Sequence, residues 1–500
     1  MKKLKYTLFL APLFLFLTSV YAQDSLKVAD IFSDQMVLQR GVEIPIWGTA
    51  NVNDEIKVIF KEKVYSAKAN KKGVWIIILP KQEIGEALEL SISTNKTTIK
   101  FKDILIGEVW LASGQSNMHL DLKRTLNGEE VAAKANNPNI RIYNMKPIYP
   151  TGKDGVHTLS ELDSIQNNLY FKTKGWVKVN PKNVLYFSAV AYYFAEKLQS
   201  ELHVPVGVIH NAVPGSPIEA WLPKQIIQQD SAIYTFVNER WRDKKEEKDA
   251  MIAVAKKQIS LTKTKSQKHP WMPSYDYENG IIPIKKFPIK GVIWYQGESN
   301  AEYPKLYKRM FEKMVRAWRT DWNENFPFYY VQLTSRENRS AWPAFRNAQR
   351  ELLDLVHNSK MVVITDVGDR QDTHAKNKKP VGYRLALLAL GDTYYMGDNY
   401  ESPVFDRIER NDSGYKIYFK GKFDALKTSD NKEVRGFEIS DNGKKFYKAK
   451  AFIDENTIII EKQTERKNFV IRYAWESFTD ANVVSKTGFP LSSFLYSNKQ

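Results

Sequence analysis

Between Val109 and Thr365 the sequence repeatedly sets a short, largely apolar run beside a stretch of helical periodicity. The runs are Val109 to Ala112, Val206 to Ile209, Val292 to Tyr295, Phe328 to Leu333 and Val362 to Thr365. Between them Leu306, Met310, Met314, Val315 and Trp318 recur at helical spacing, and Ala189, Tyr193 and Leu198 do much the same. A strand apolar on both faces must be covered on both faces, which a parallel sheet with helices on each side provides. The fold class expected is therefore α/β. Functional residues are expected in loops beyond the carboxyl ends of the strands.

The flanks read differently. From Leu26 to about Lys102, short alternating runs such as Glu55 to Phe60 and Leu88 to Ile92 are separated by turn residues, the pattern of a small antiparallel β domain. Beyond Tyr400 such runs return, as in Tyr415 to Phe419 and Thr457 to Ile460. The expected organisation is an export signal at 1–22, an N-terminal β domain at 23–105, a catalytic domain at 106–395 and a C-terminal β domain at 396–500. A lysine-rich helical stretch within 223–285 reads as an insertion or lid, its charge run a solvated face.

Lys2, Lys3 and Lys5 followed by the apolar stretch Leu8 to Leu17 and Val20-Tyr21-Ala22 form the expected export signal, too short to span a bilayer of about 30 Å. The chain is thus expected to be periplasmic or secreted, without a membrane anchor. With no cysteine there is no disulfide and no thiolate nucleophile. The formal charge of +17 falls to 17 − 3 = +14 without the three signal lysines. Nucleic-acid binding is disfavoured by the export signal and by the lack of a recognised motif. The sequence fixes no oligomeric state.

Four loops carry the chemistry. Gly114-Gln115-Ser116-Asn117-Met118 follows the first apolar run and presents a serine where an attacking hydroxyl belongs. Its spacing is not the Gly-x-Ser-x-Gly elbow of the α/β-hydrolases. A serine needs a base, and of the seven histidines His374 stands out, in the polar loop Asp366 to His374 with Asp372 two residues earlier to hold Nδ1–H. A third loop offers Gly215, whose backbone N–H can approach a ligand oxygen. A fourth, Tyr295 to Asn300, offers the amides of Gln296 and Asn300, one of which would make an oxyanion hole of three donors with the backbone N–H groups of Ser116 and Gly215.

Three strings, Gly107 to Met118 (GEVWLASGQSNM), Pro217 to Trp221 (PIEAW) and Lys290 to Asn300 (KGVIWYQGESN), resemble the sialate O-acetylesterase family of the SGNH hydrolase superfamily. The resemblance, from about Leu26 past Leu390, implies an SGNH-hydrolase-like parallel sheet flanked by helices, with small β domains at both ends. It implies removal of O-acetyl groups from sugars through an acetyl-serine intermediate, without a metal or other cofactor. Ser116 would be nucleophile, His374 base, and Gly215 with a fourth-loop amide the oxyanion donors. His119, Pro214 and Ala375 depart from the residues often found in relatives and bear on substrate preference. An SGNH enzyme commonly places its triad acid three residues before the histidine, where this chain has Gln371. Asp372 is the expected acid, with Asp369 or a carbonyl-oriented Ser-His dyad as alternatives. The substrate expected is an acetylated glycan: 9-O-acetylated sialic acid, whose carboxylate Arg346 or Arg384 would pair, or acetylated xylan or pectin. A secreted glycan-binding protein that has lost catalysis is the rival reading.

Overall fold

The computed structural model describes residues 26–152, 155–241, 250–259, 267–411, 414–461 and 468–498. The expected export signal at 1–22 and part of the expected lid lie outside the described residues. No helix among the described residues is long and apolar enough to cross a membrane.

The strand Thr98–Gly114 organises the molecule. Its first half alternates exposed and half-buried residues and pairs antiparallel with Leu88–Ser93, while from Ile104 onward every residue is buried. There it pairs in parallel with Val37–Gln39, then with Val206–Ala212 on one side and Gly291–Tyr295 on the other. The central sheet runs Trp176–Val179, Asn137–Asn144, Val206–Ala212, Thr98–Gly114, Gly291–Tyr295, Phe328–Val331, Ser359–Val362, parallel except at the Trp176–Val179 edge. The boundary expected at 105/106 falls inside one continuous strand.

At the junction Asp103 takes a left-handed φ of 59°. Its carboxylate pairs with the buried Arg141 at 3.1 Å and with Lys178 at 2.6 Å, both on central-sheet strands.

Alternation along the strands sorts the aromatic residues onto two faces. Trp110 and Tyr329 point to one side, where Trp110 meets Phe194 of the helix Ala189–Leu202 at 5.1 Å. Trp294 and Phe328 point to the other, against Trp318 and Phe311 of the helix Pro304–Trp322. That helix starts with Pro at its first position and ends at Asn323 with φ 51°, a left-handed C-terminal cap.

Two strands differ from the expected apolar runs: Phe328–Val331 stops two residues short of Leu333, and Ser359–Val362 ends where its expected run begins. The two pair over four residues, Phe328–Val331 pairs on its other side with Gly291–Tyr295, and Thr365–Val367 is a short helical turn. Once its parallel partner ends at Val331, the chain beyond Val362 has nothing to extend the ladder. Helix Lys379–Leu388 follows the His374 loop.

The N-terminal β residues share one hydrophobic core with the central domain, whereas the C-terminal region has its own. Two four-stranded sheets, containing Gly414–Lys420 and Phe437–Ser440 respectively, enclose Ile417, Phe437, Ile471 and Phe494. Arg346 fastens this sandwich to the central domain. Fully buried on the helix Trp342–Leu355, it donates to the carbonyls of Thr334, Ala474, Glu476 and Ser477 and to Ser493 Oγ.

Candidate active site

The serine turn is built by three strand ends. Gly114 ends the central strand at φ +137°, and a Cβ there would lie 2.2 Å from the Tyr295 carbonyl, so glycine alone fits. Gln115 N–H donates to that carbonyl at 3.0 Å and Val213 N–H to the Gly114 carbonyl at 3.0 Å. Ser116 then opens the helical turn Ser116–His119. This places it at the carboxyl edge of the parallel sheet, where open α/β sheets bind ligands.

Ser116 and His374 line one cleft of about 370 Å³. No hydrogen bond joins Ser116 Oγ to the imidazole, a looseness common in ligand-free sites. Of the two acids left open by the sequence, Asp372 lies at the ring, its Oδ1 3.6 Å from His374 Nδ1 and accepting the His374 backbone N–H at 2.8 Å. Asp369 Oδ1 instead accepts the N–H groups of Gln371 and Asp372, each at 2.8 Å, and shapes the turn. The carbonyl of Gln371 is held by Arg336 through Nε at 3.1 Å and Nη2 at 2.9 Å. Burial lowers the His374 pKa from its usual value; Asp372 opposes this, and Lys378, Arg124 and Arg336 reinforce it.

The oxyanion candidates divide. Gly215 has φ +75°, and a Cβ there would press to 2.3 Å from the Trp271 ring. Among the described residues the backbone N–H groups of Ser116 and Gly215 have no acceptor, so both remain available. The amides of Gln296 and Asn300 are engaged within the protein. Gln296 Nε2 donates to Asn300 Oδ1 at 2.8 Å and to the Ser216 carbonyl at 3.3 Å, and Asn300 Nδ2 donates to Glu219 at 2.9 Å. Neither side chain reaches the cleft wall.

The arginines expected to read a carboxylate are not free to do so. Arg346 spends its N–H groups on the C-terminal sandwich, and Arg384 forms a two-pronged pair with Asp366, both bonds 2.7 Å. The cleft is lined by Arg124 and Lys146 instead, with His119 and Tyr149. Arg124 Nε holds Asp121 at 3.1 Å. His119 Nδ1 meets the Ala212 carbonyl at 3.1 Å and Nε2 meets Tyr149 OH; burial holds its pKa down at about 4, so the ring is neutral near pH 7. The sequence reading did not find Lys146 and Tyr149, because the strand Asn137–Asn144 that delivers them is broken in pattern by Pro138 and Arg141. A signal was present in Ile140, Ile142 and Tyr143, a short apolar run ending in polar residues.

Comparisons with known proteins point to an esterase. The family described as carbohydrate esterase, sialic acid-specific acetylesterase matches residues 234–390. The sialate O-acetylesterase of Rattus norvegicus is 26% identical over 425 residues, covering 77% of this chain and 76% of that protein. The sialate O-acetylesterase of Homo sapiens is 27% identical over 430 residues, covering 77% and 74%. A crystal structure of a carbohydrate acetylesterase from Xanthomonas citri superposes with a TM-score of 0.78 at 28% identity, covering 94% of this chain and 99% of that one. The string resemblances, the SGNH-like sheet and these relatives converge: the chain is similar to the sialate O-acetylesterases and is a carboxylic ester hydrolase.

Proposed function

We propose that the protein is an exported serine esterase that removes O-acetyl groups from sugars through an acetyl-serine intermediate, with 9-O-acetylated sialic acid as substrate. One observation carries the reading: Ser116 and His374, far apart in sequence, line a single cleft at the carboxyl edge of the sheet. Ser116 Oγ attacks the acetyl carbonyl while His374 Nε2 takes its proton, and Asp372 steadies the imidazolium through Nδ1. The N–H groups of Ser116 and Gly215 hold the oxyanion, each such donor lowering the barrier by about 2.7–4 kcal/mol. The imidazolium protonates the departing sugar oxygen, and the same ring then deprotonates the water that hydrolyses the acetyl-enzyme.

Arg124 and Lys146 support the choice of an acidic sugar, since a carboxylate beside the acetyl ester would pair with them and a neutral xylan would leave them unused. Export rests on the three lysines and apolar stretch of 1–22. The reading is tested by acetate release from 9-O-acetylated sialoside, acetylated xylan and acetylated pectin, with p-nitrophenyl acetate as a reference ester. Wild-type protein should prefer the sialoside, Ser116→Ala should be inactive on all four, and the Arg124→Ala/Lys146→Ala pair should raise KM for the sialoside and leave that for the neutral xylan unchanged. A fully active Ser116→Ala, or a wild-type protein that binds glycan without releasing acetate, refutes it.

A further inference from the structure

A polar cluster under the cleft is not used by the chemistry above. Asn117, next to Ser116, is fully buried. Its Nδ2 donates to the carbonyl of Thr373 at 3.1 Å and to Glu298 Oε1, and its Oδ1 accepts from Lys378 Nζ. Thr373 and Lys378 bracket His374, so one amide grips the base-bearing loop at both ends. The third partner, Glu298, belongs to the fourth loop, whose backbone N–H groups at Gly297 and Ser299 donate to Gln115 Oε1 at 3.2 and 3.4 Å. The serine turn, the base-bearing loop and the fourth loop therefore meet at the side chain following the nucleophile.

We propose that Asn117 is a positioning residue for acyl transfer: its bridge from the serine turn to the Thr373 carbonyl sets the separation of Ser116 and His374. The proposal rests on the roles given to those two residues above. A buried lysine and glutamate are costly unless paired, and here an uncharged amide joins them. Burial lowers Lys378 to about 8, with Glu298 opposing, and raises Glu298, with Asn117 and Lys378 opposing. Glu298 Oε2 is shut off from solvent without a hydrogen-bond partner. Such a cluster is retained at a cost in folding. What it gains is a loop held in one register, with the Leu126 N–H to Lys376 carbonyl bond of 3.0 Å as a further main-chain anchor.

The experiment measures kcat, KM and thermal midpoint on p-nitrophenyl acetate for wild type, Ser116→Ala, Asn117→Ala and Asn117→Asp. Asn117→Asp keeps an acceptor for Lys378 but has no proton for the Thr373 carbonyl. It separates a positioning role from a merely structural one, and remains informative where the alanine variant does not fold. Both variants should lose about 100-fold in kcat with KM unchanged, the effect of displacing reacting groups by about 1 Å. The proposal is overturned if Asn117→Asp keeps wild-type kcat while Ser116→Ala is inactive, or if its loss appears in KM and thermal midpoint and not in kcat. An active Ser116→Ala would instead overturn the assignment of the nucleophile.

Discussion

Replacing Arg346 with methionine removes a buried cation at nearly constant volume, and the structure allows its cost to be worked out. Three of its hydrogen bonds are short, to Ser493 Oγ at 3.1 Å and to the carbonyls of Ala474 and Glu476 at 2.9 and 2.5 Å. Those to Thr334 and Ser477, at 3.3 and 3.4 Å, are weak. At about 1.5–3 kcal/mol for each bond to a charged donor, the three short ones contribute about 4.5–9 kcal/mol. Against this, burial depresses the guanidinium from 12.5 to about 10, a strain of about 3 kcal/mol that methionine relieves. The net expectation is a loss near 3 kcal/mol, concentrated in the C-terminal sandwich whose carbonyls are orphaned. Hydrogen exchange read by mass spectrometry would follow it strand by strand. Protection should fall in Val470–Tyr473 and Phe494–Ser497 and stay unchanged in Val206–Ala212. Activity should fall as well, because Ser477 accepts the Arg336 N–H at 3.0 Å and Phe478 lies 4.2 Å beneath the Arg370 guanidinium of the His374 loop. A variant whose sandwich stays within about 0.5 kcal/mol of wild type, the range of inert surface changes, refutes the reasoning.

Two further predictions concern the cleft. The base must be neutral to act, and burial lowers its pKa, so the acid limb of kcat/KM should have its midpoint below pH 6.5. Asp372→Asn removes the carboxylate that favours the imidazolium, so it should move that limb to still lower pH and reduce kcat, both read from a pH–rate profile. Gly215→Ala must adopt a left-handed φ of +75° and force its Cβ against Trp271. If this displaces the 215 N–H, kcat on p-nitrophenyl acetate should drop by about 10²–10³-fold, the cost of one oxyanion donor elsewhere.

How far the sequence spoke depended on whether a signal was local. Ser116 and His374 were readable because each sits in a polar loop directly after an apolar run, and a buried parallel strand imposes such a run on its own residues. Arg346 was read as a partner for a substrate carboxylate. The helix Trp342–Leu355 buries Phe345, Arg346 and Gln349 on one side, and nothing within it records that a separate β sandwich covers that side. Gln296 and Asn300 looked like donors aimed at a substrate. Their engagement with Ser216 and Glu219 follows from how the third and fourth loops pack, which neither loop encodes alone. The end of Ser359–Val362 was set by the length of its partner Phe328–Val331, a property of the pair.

The unbroken strand from Thr98 to Gly114 makes the N-terminal region a lever arm on the nucleophile. A rotation of that region has no hinge in which to dissipate, since the kink at Asp103 is clamped to Arg141 and Lys178 on neighbouring strands. Cutting the chain there would free the middle rib of the central sheet from that clamp and let the Ser116 turn drift. The front of the molecule is accordingly a frame member of the machine, and swapping it for an unrelated module would change the catalyst along with its attachment.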